Sequence, residues 1–261
     1  MRLIIFSFLA LCISFTSFIF GEINLPQGLT IEHEVESNEI VKGSFPITNK
    51  GEKQLRVKIS LADYSFSCDG SNYFDPPGSK PRSNANWLNL SNEFFVEIPP
   101  KENINIDYEL RVPKDKNLEG SYWSMLLIEP QKELSKEPED DNTLSINTVI
   151  RYGIQMVTNV KNSGEESIEI LSNRTDKTNY IVDVKNNGSL FLRPKMVIEL
   201  FSQNGEQVAK VEGGQFRIFP DTSVRYSAPL EALPKGHYKS LVLFDYGEDS
   251  MFGFEDDIII D

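Results

Sequence analysis

Pro46-Ile47-Thr48-Asn49-Lys50-Gly51 and Val182-Asp183-Val184-Lys185-Asn186-Asn187-Gly188 carry one signal twice: an extended run that ends in a turn built on Asn and Gly. Asn and Gly supply such turns because both tolerate left-handed backbone, and the Asn side chain can bond to the main chain just ahead of it. Each turn leads into a second apolar run, Leu55 to Ile59 in the first copy and Met196 to Phe201 in the second. Further on, each copy approaches another apolar strand through a tyrosine, as Leu118-Glu119-Gly120-Ser121-Tyr122-Trp123 and as Leu233-Pro234-Lys235-Gly236-His237-Tyr238-Lys239. The repeat predicts two β-sandwiches in tandem, each with a hairpin at its Asn-Gly turn.

Tyr122 and Tyr238 are placed to act as corner tyrosines, whose hydroxyls tie the start of a strand to the backbone upstream; with the turn signals, this makes both domains immunoglobulin-like. No stretch keeps a helical period, so the fold class is all-β. The expected organisation is a leader over residues 1–21, a first domain over 22–161 with long loops near 68–86 and 129–144, and a second domain over 165–261. Asn162-Ser163-Gly164-Glu165-Glu166 forms a polar hinge between the domains. In the first domain, Cys68-Asp69-Gly70-Ser71-Asn72 and Asp75-Pro76-Pro77-Gly78-Ser79-Lys80-Pro81 mark a surface loop. The stretch from Glu129 to Asn142 has the composition of an acidic loop.

Met1-Arg2 followed by the apolar stretch Leu3 to Phe20 and a small residue, Gly21, matches a secretory leader better than a membrane span. No later segment is apolar enough to cross a bilayer, so the mature chain is expected not to span the membrane and to be periplasmic or secreted. The 26 basic and 39 acidic residues give a net charge of -13, and removal of a leader holding Arg2 and no acid makes it one unit more negative. That balance excludes nucleic acid and anionic lipid surfaces as partners. With Cys12 in the leader, Cys68 is left alone, so each sandwich must be held by its apolar core.

Catalysis has little to stand on. His33 and His237, the only histidines, lie in no spacing suited to a metal or a nucleophile triad, and neither a phosphate-binding glycine loop nor a serine elbow is present. Cys68 sits in a polar loop with no histidine near it in sequence. Glu139-Asp140-Asp141 and Glu255-Asp256-Asp257 lack the spacing of a calcium loop. No catalytic residue, metal or cofactor is expected.

Ser145 to Val160 reads as one long strand. Ile146, Thr148, Ile150, Tyr152, Ile154 and Met156 lie on one face, and Asn147, Val149, Arg151, Gly153, Gln155 and Val157 on the other. A leader, two immunoglobulin-like domains, a long loop into a long last strand of domain one, and a hinge together resemble the periplasmic pilus-assembly chaperones, the PapD-like superfamily. The resemblance implies that the last strand of domain one is lent to an incomplete subunit, and that a basic pair in the cleft holds the subunit's terminal carboxylate. The lent strand would be Ser145 to Val157, with Val149, Arg151, Gly153, Gln155 and Val157 as partner-binding residues and Arg151 as the basic residue. The first strand, Glu22 to Val35, holds no Arg or Lys to complete the pair. The expected partner is a protein subunit with an incomplete or exposed β-sheet edge. The alternative is a surface adhesion protein that binds glycan or cell wall through the 68–86 loop and the aromatics Trp87, Trp123 and Tyr73.

Overall fold

The computed structural model describes residues 23–91, 94–131, 150–176, 178–247 and 250–260. The first sandwich holds β1 (Ile23–Asn24), β2 (Thr30–Val35), β3 (Ile40–Asn49), β4 (Leu55–Phe66), β5 (Asn72–Asp75), β6 (Leu88–Leu90), β7 (Phe94–Ile98), β8 (Asn103–Arg111), β9 (Ser121–Gln131) and β10 (Tyr152–Val160). The second holds β11 (Ile168–Thr175), β12 (Asn179–Asn186), β13 (Lys195–Phe201), β14 (Gln207–Gln215), β15 (Ser223–Pro229), β16 (Gly236–Gly247) and β17 (Ser250–Ile260). A single turn of 3-10 helix, Ala85–Trp87, is the only helical element among the described residues.

Each sandwich consists of two sheets. In the first, β1-β3-β8-β6 packs on β2-β10-β9-β4, with β7 and β5 one after the other along the far edge of β4; in the second, β11-β12-β15 packs on β14-β13-β16-β17. The central strands correspond one to one: β3 to β12, β4 to β13, β8 to β15, β9 to β16 and β10 to β17. The repeat seen in the sequence is therefore a repeat of topology, and both halves have the order of an immunoglobulin-like sandwich.

Alternation builds the cores. On β4, Leu55, Val57 and Ile59 point inward while Arg56 and Lys58 point to solvent; β13 does the same with Met196, Ile198 and Leu200. Facing them are Phe45, Ile106 and Leu110 in the first sandwich, with Leu126 beside them on β9, and Val182, Val184 and Tyr226 in the second, with Phe244 beside them on β16. Each such side chain contributes about 1.5–3 kcal/mol by leaving water.

The Asn-Gly turns differ from the expected hairpins. β3 and β4 belong to different sheets, as do β12 and β13, so each turn carries the chain across the sandwich. The buried Asn49 amide donates to the carbonyls of Lys53, Ile98 and Pro99 at 2.8, 3.0 and 3.1 Å, while its oxygen accepts from Gly51 N. Asn186 repeats this, donating to Leu190 O and Ile218 O at 2.7 and 3.0 Å and accepting from Gly188 N. These amides satisfy carbonyls at the point where the backbone leaves one sheet for the other.

The tyrosines divide. Tyr238 donates its hydroxyl to Pro234 O at 2.8 Å, as a corner tyrosine should. Tyr122 instead packs its ring on Trp87, with centroids 4.6 Å apart, and its hydroxyl bonds nothing among the described residues. The 68–86 stretch is also more ordered than a plain loop. It returns as β5, and the buried Asp63 carboxylate accepts from Gly78 N, Lys80 N and the Ser79 and Ser83 hydroxyls, fastening the far limb to the sheet.

Candidate functional site

β10 is bonded on one side to β9 from Tyr152 to Asn159. On its other side β2 runs parallel to it, but only from Gln155 to Val160. Gln155 N donates to Leu29 O at 2.8 Å across that side. Because backbone polar groups alternate direction along a strand, the N–H and C=O of Gly153, two residues earlier, point the same way and meet no strand among the described residues. Upstream of Gln155, that side of β10 is thus an open edge among the described residues. Ile150, just before the strand, is exposed, although its alternation matches that of the buried Ile154 and Met156.

The five partner-binding residues expected from sequence fall into different settings. Val149 lies outside the described residues. Arg151 pairs with Glu129 of the neighbouring strand through Nε and Nη2 at 2.8 and 2.7 Å, so a carboxylate already compensates its charge. Gly153 leaves room for the Met125 side chain, which lies where a Cβ would stand. Gln155 accepts from Thr30 Oγ1 at 3.2 Å and faces a cleft. Val157 is fully buried among Trp123 and Phe219, in the contact between the sandwiches, so its side chain is unavailable to a partner.

The cleft is a cavity of about 670 Å³ between the two sandwiches. Tyr64, Phe66, Cys68 and Gln155 come from the first, and Arg193, Arg217 and Arg225 from the second. Arg225 holds Asp183 through Nε and Nη2 at 2.6 and 2.9 Å, which keeps the Asp183 carboxyl below the usual carboxylate range. Arg193 bonds Glu32 across the domain boundary and lies over the Phe191 ring at 5.2 Å. Burial, and then the charge of Arg217, lower the pKa of Arg193. Arg217 itself has no carboxylate partner among the described residues. The cleft therefore carries surplus positive charge on a strongly acidic chain, and guanidinium groups of this kind take carboxylates. Sequence reasoning missed these three arginines, since nothing in their spacing joins positions 193, 217 and 225.

The other candidates are occupied structurally. His33 Nε2 lies 2.9 Å from Tyr108 Oη, and burial lowers its pKa. His237 is exposed on β16. Asp256 accepts from Asn173 and Tyr180, and Asp257 pairs with Lys239, while Glu139-Asp140-Asp141 lies outside the described residues. Among the described residues no group of His, Cys, Asp and Glu could hold a metal, and no helix is long and apolar enough to cross a membrane. Trp123 donates Nε1–H to Tyr64 O at 2.7 Å and is buried, and Trp87 packs on the first core, so neither offers a flat platform for a sugar. Of the three aromatics considered for glycan, only Tyr73 is well exposed.

No protein-family model matches the sequence, and no curated protein does. Among solved structures, a chain from a chaperone–tip adhesin complex of CFA/I fimbriae biogenesis is 14% identical, with 92% of this chain and 99% of that one covered and a TM-score of 0.49. The class 5 fimbriae chaperone CfaA is also 14% identical, over 91% and 99%, with a TM-score of 0.49. These similar structures come from fimbrial chaperone systems. A third, from the CsuC–CsuE chaperone–tip adhesion subunit pre-assembly complex of *Acinetobacter baumannii* archaic chaperone-usher Csu pili, is 14% identical over 87% and 93%, with a TM-score of 0.44.

Proposed function

We propose that this chain is a noncatalytic envelope-assembly chaperone or adaptor of the PapD-like kind, secreted to the periplasm, that binds protein subunits by adding the open edge of β10 to an incomplete or exposed sheet. The observation that carries it is the edge itself: β2 covers β10 only from Gln155 onward, which leaves the backbone groups of Gly153 pointing outward and Ile150 exposed beside them. A strand laid there gains main-chain hydrogen bonds, and alternate side chains supply specificity. The apolar alternation of Ile146, Thr148 and Ile150 fits a groove better than that of Val149 and Gly153. We place the anchor for the subunit's terminal carboxylate at Arg217 in the cleft, since Arg151 is paired with Glu129 and Arg193 with Glu32.

Gly153→Pro tests the edge. Proline removes the outward Gly153 N–H and leaves the bonds to β9 in place, as edge prolines do, while its Cβ makes the flexible Met125 side chain turn aside. The tagged chain is captured from its own envelope beside the variant, and bound proteins are identified by mass spectrometry. A β-rich secreted protein that co-purifies with the wild type and is lost from a variant of unchanged melting temperature is the expected result; equal recovery from both overturns the proposal.

A further inference from the structure

Where the two sandwiches join, two glycines bring backbone against backbone. Gly120, just before β9, has φ +66°, and a Cβ there would collide with the Ser189 carbonyl oxygen. Gly164, in the connection between the domains, has φ +90°, and a Cβ on it would stand 2.7 Å from the Gly120 Cα and 2.9 Å from Leu190. Backbone cannot rotate aside as a side chain can, so these positions admit glycine alone at this spacing. Hydrogen bonds run across the same seam: Ser121 N to Ser189 O at 2.8 Å, Phe191 N to Ser121 Oγ at 2.7 Å and Gly120 N to Ser163 Oγ at 3.0 Å.

Beside this seam lies an aromatic stack with members from both sandwiches. Phe219 is fully buried, with Trp123 and Phe191 stacked on it at 4.7 Å each and Phe66 edge-on at 6.1 Å. Cys68 N donates to Ser223 Oγ at 2.9 Å across the cleft, and Glu32 meets Arg193. The contacts therefore surround the boundary on several sides, whereas a swinging hinge would have one narrow strap.

We propose that Gly120 and Gly164, with the Phe219 stack, are positioning residues that lock the two sandwiches at one angle, so that the arginine wall of the cleft stands at a fixed distance from the open edge of β10 before any partner arrives. The polar sequence Asn162 to Glu166 is then a tie and not a joint.

Small-angle X-ray scattering and calorimetry on the secreted chain test this without a partner, so its outcome is independent of the strand-addition proposal. The wild type is expected to fit a single conformer and to unfold in one transition. Gly120→Ala and Phe219→Ala are expected to need a spread of interdomain angles and to split the transition in two, with far-ultraviolet circular dichroism unchanged. Should Gly120→Ala fail to fold, Phe219→Ala, which leaves the backbone seam intact, carries the comparison. Wild-type scattering that demands several angles, or a folded Phe219→Ala chain that keeps the wild-type curve and the single transition, overturns the assignment.

Discussion

Asn49 and Asn186 perform one task in two places, and each does so with no exposure to water. Asn49→Ala leaves three carbonyls short of a donor, and Asn186→Ala leaves two. Each substitution should cost about 2 kcal/mol, the penalty for stranding buried acceptors, measurable as a lowered urea midpoint with an unchanged slope. The turns could be read in the sequence because an Asn oxygen accepting from the N–H two residues ahead is local chemistry. The amide's longer reach, from Asn49 to Ile98 O and from Asn186 to Ile218 O, spans 49 and 32 residues and leaves no trace in spacing. Asp183 gives a pH test. Arg225, chiefly through its hydrogen bonds, holds the Asp183 carboxyl below its unfolded value, so the carboxylate stabilises the fold above the ordinary pKa of about 3.9 and that contribution fades as pH falls through the lower folded value. Asp183→Asn should accordingly be less stable than the wild type at neutral pH, with the gap closing below about pH 4 in pH-dependent melts.

At the scale of elements, β4 and β10 explain most of what the sequence showed and what it hid. The alternation of β4 marked its buried face, but Asp63 shares the inward alternation of Val57 and Ile59 and is buried as well, which a hydrophobic pattern can only score as a break. Its partners are the N–H groups of Gly78 and Lys80, and backbone donors carry no sequence signature. Asp63→Ala should free the limb from Pro76 to Ser83 and create a protease-sensitive site there while β4 holds; limited proteolysis with mass mapping reads this directly. For β10, periodicity separated the two faces correctly at Ile154 and Met156. It could not tell that the opposite face turns toward a second domain at Val157, because burial by a neighbouring domain resembles solvent exposure when only one strand is read.

Across the whole molecule, charge and shape act together. The chain is acidic overall, yet the connection before β13, the connection after β14 and β15 itself bring Arg193, Arg217 and Arg225 to one wall. An anionic partner group in that cleft should bind more weakly as salt rises, and Arg217→Glu should lower affinity and flatten the salt dependence, as measured by titration against the captured subunit. The tandem architecture could be foreseen because a repeat is visible within one chain; the cleft between the repeats is made of residues drawn from both and could not be. Cys68 lines that cleft, the one cysteine among the described residues, partly open to solvent. The protein thus carries its own clock. An occupant of the cleft that covers this thiol slows its alkylation, so the rate at which a reagent consumes it follows how often the cleft stands empty, in unlabelled protein and without knowing the occupant's identity.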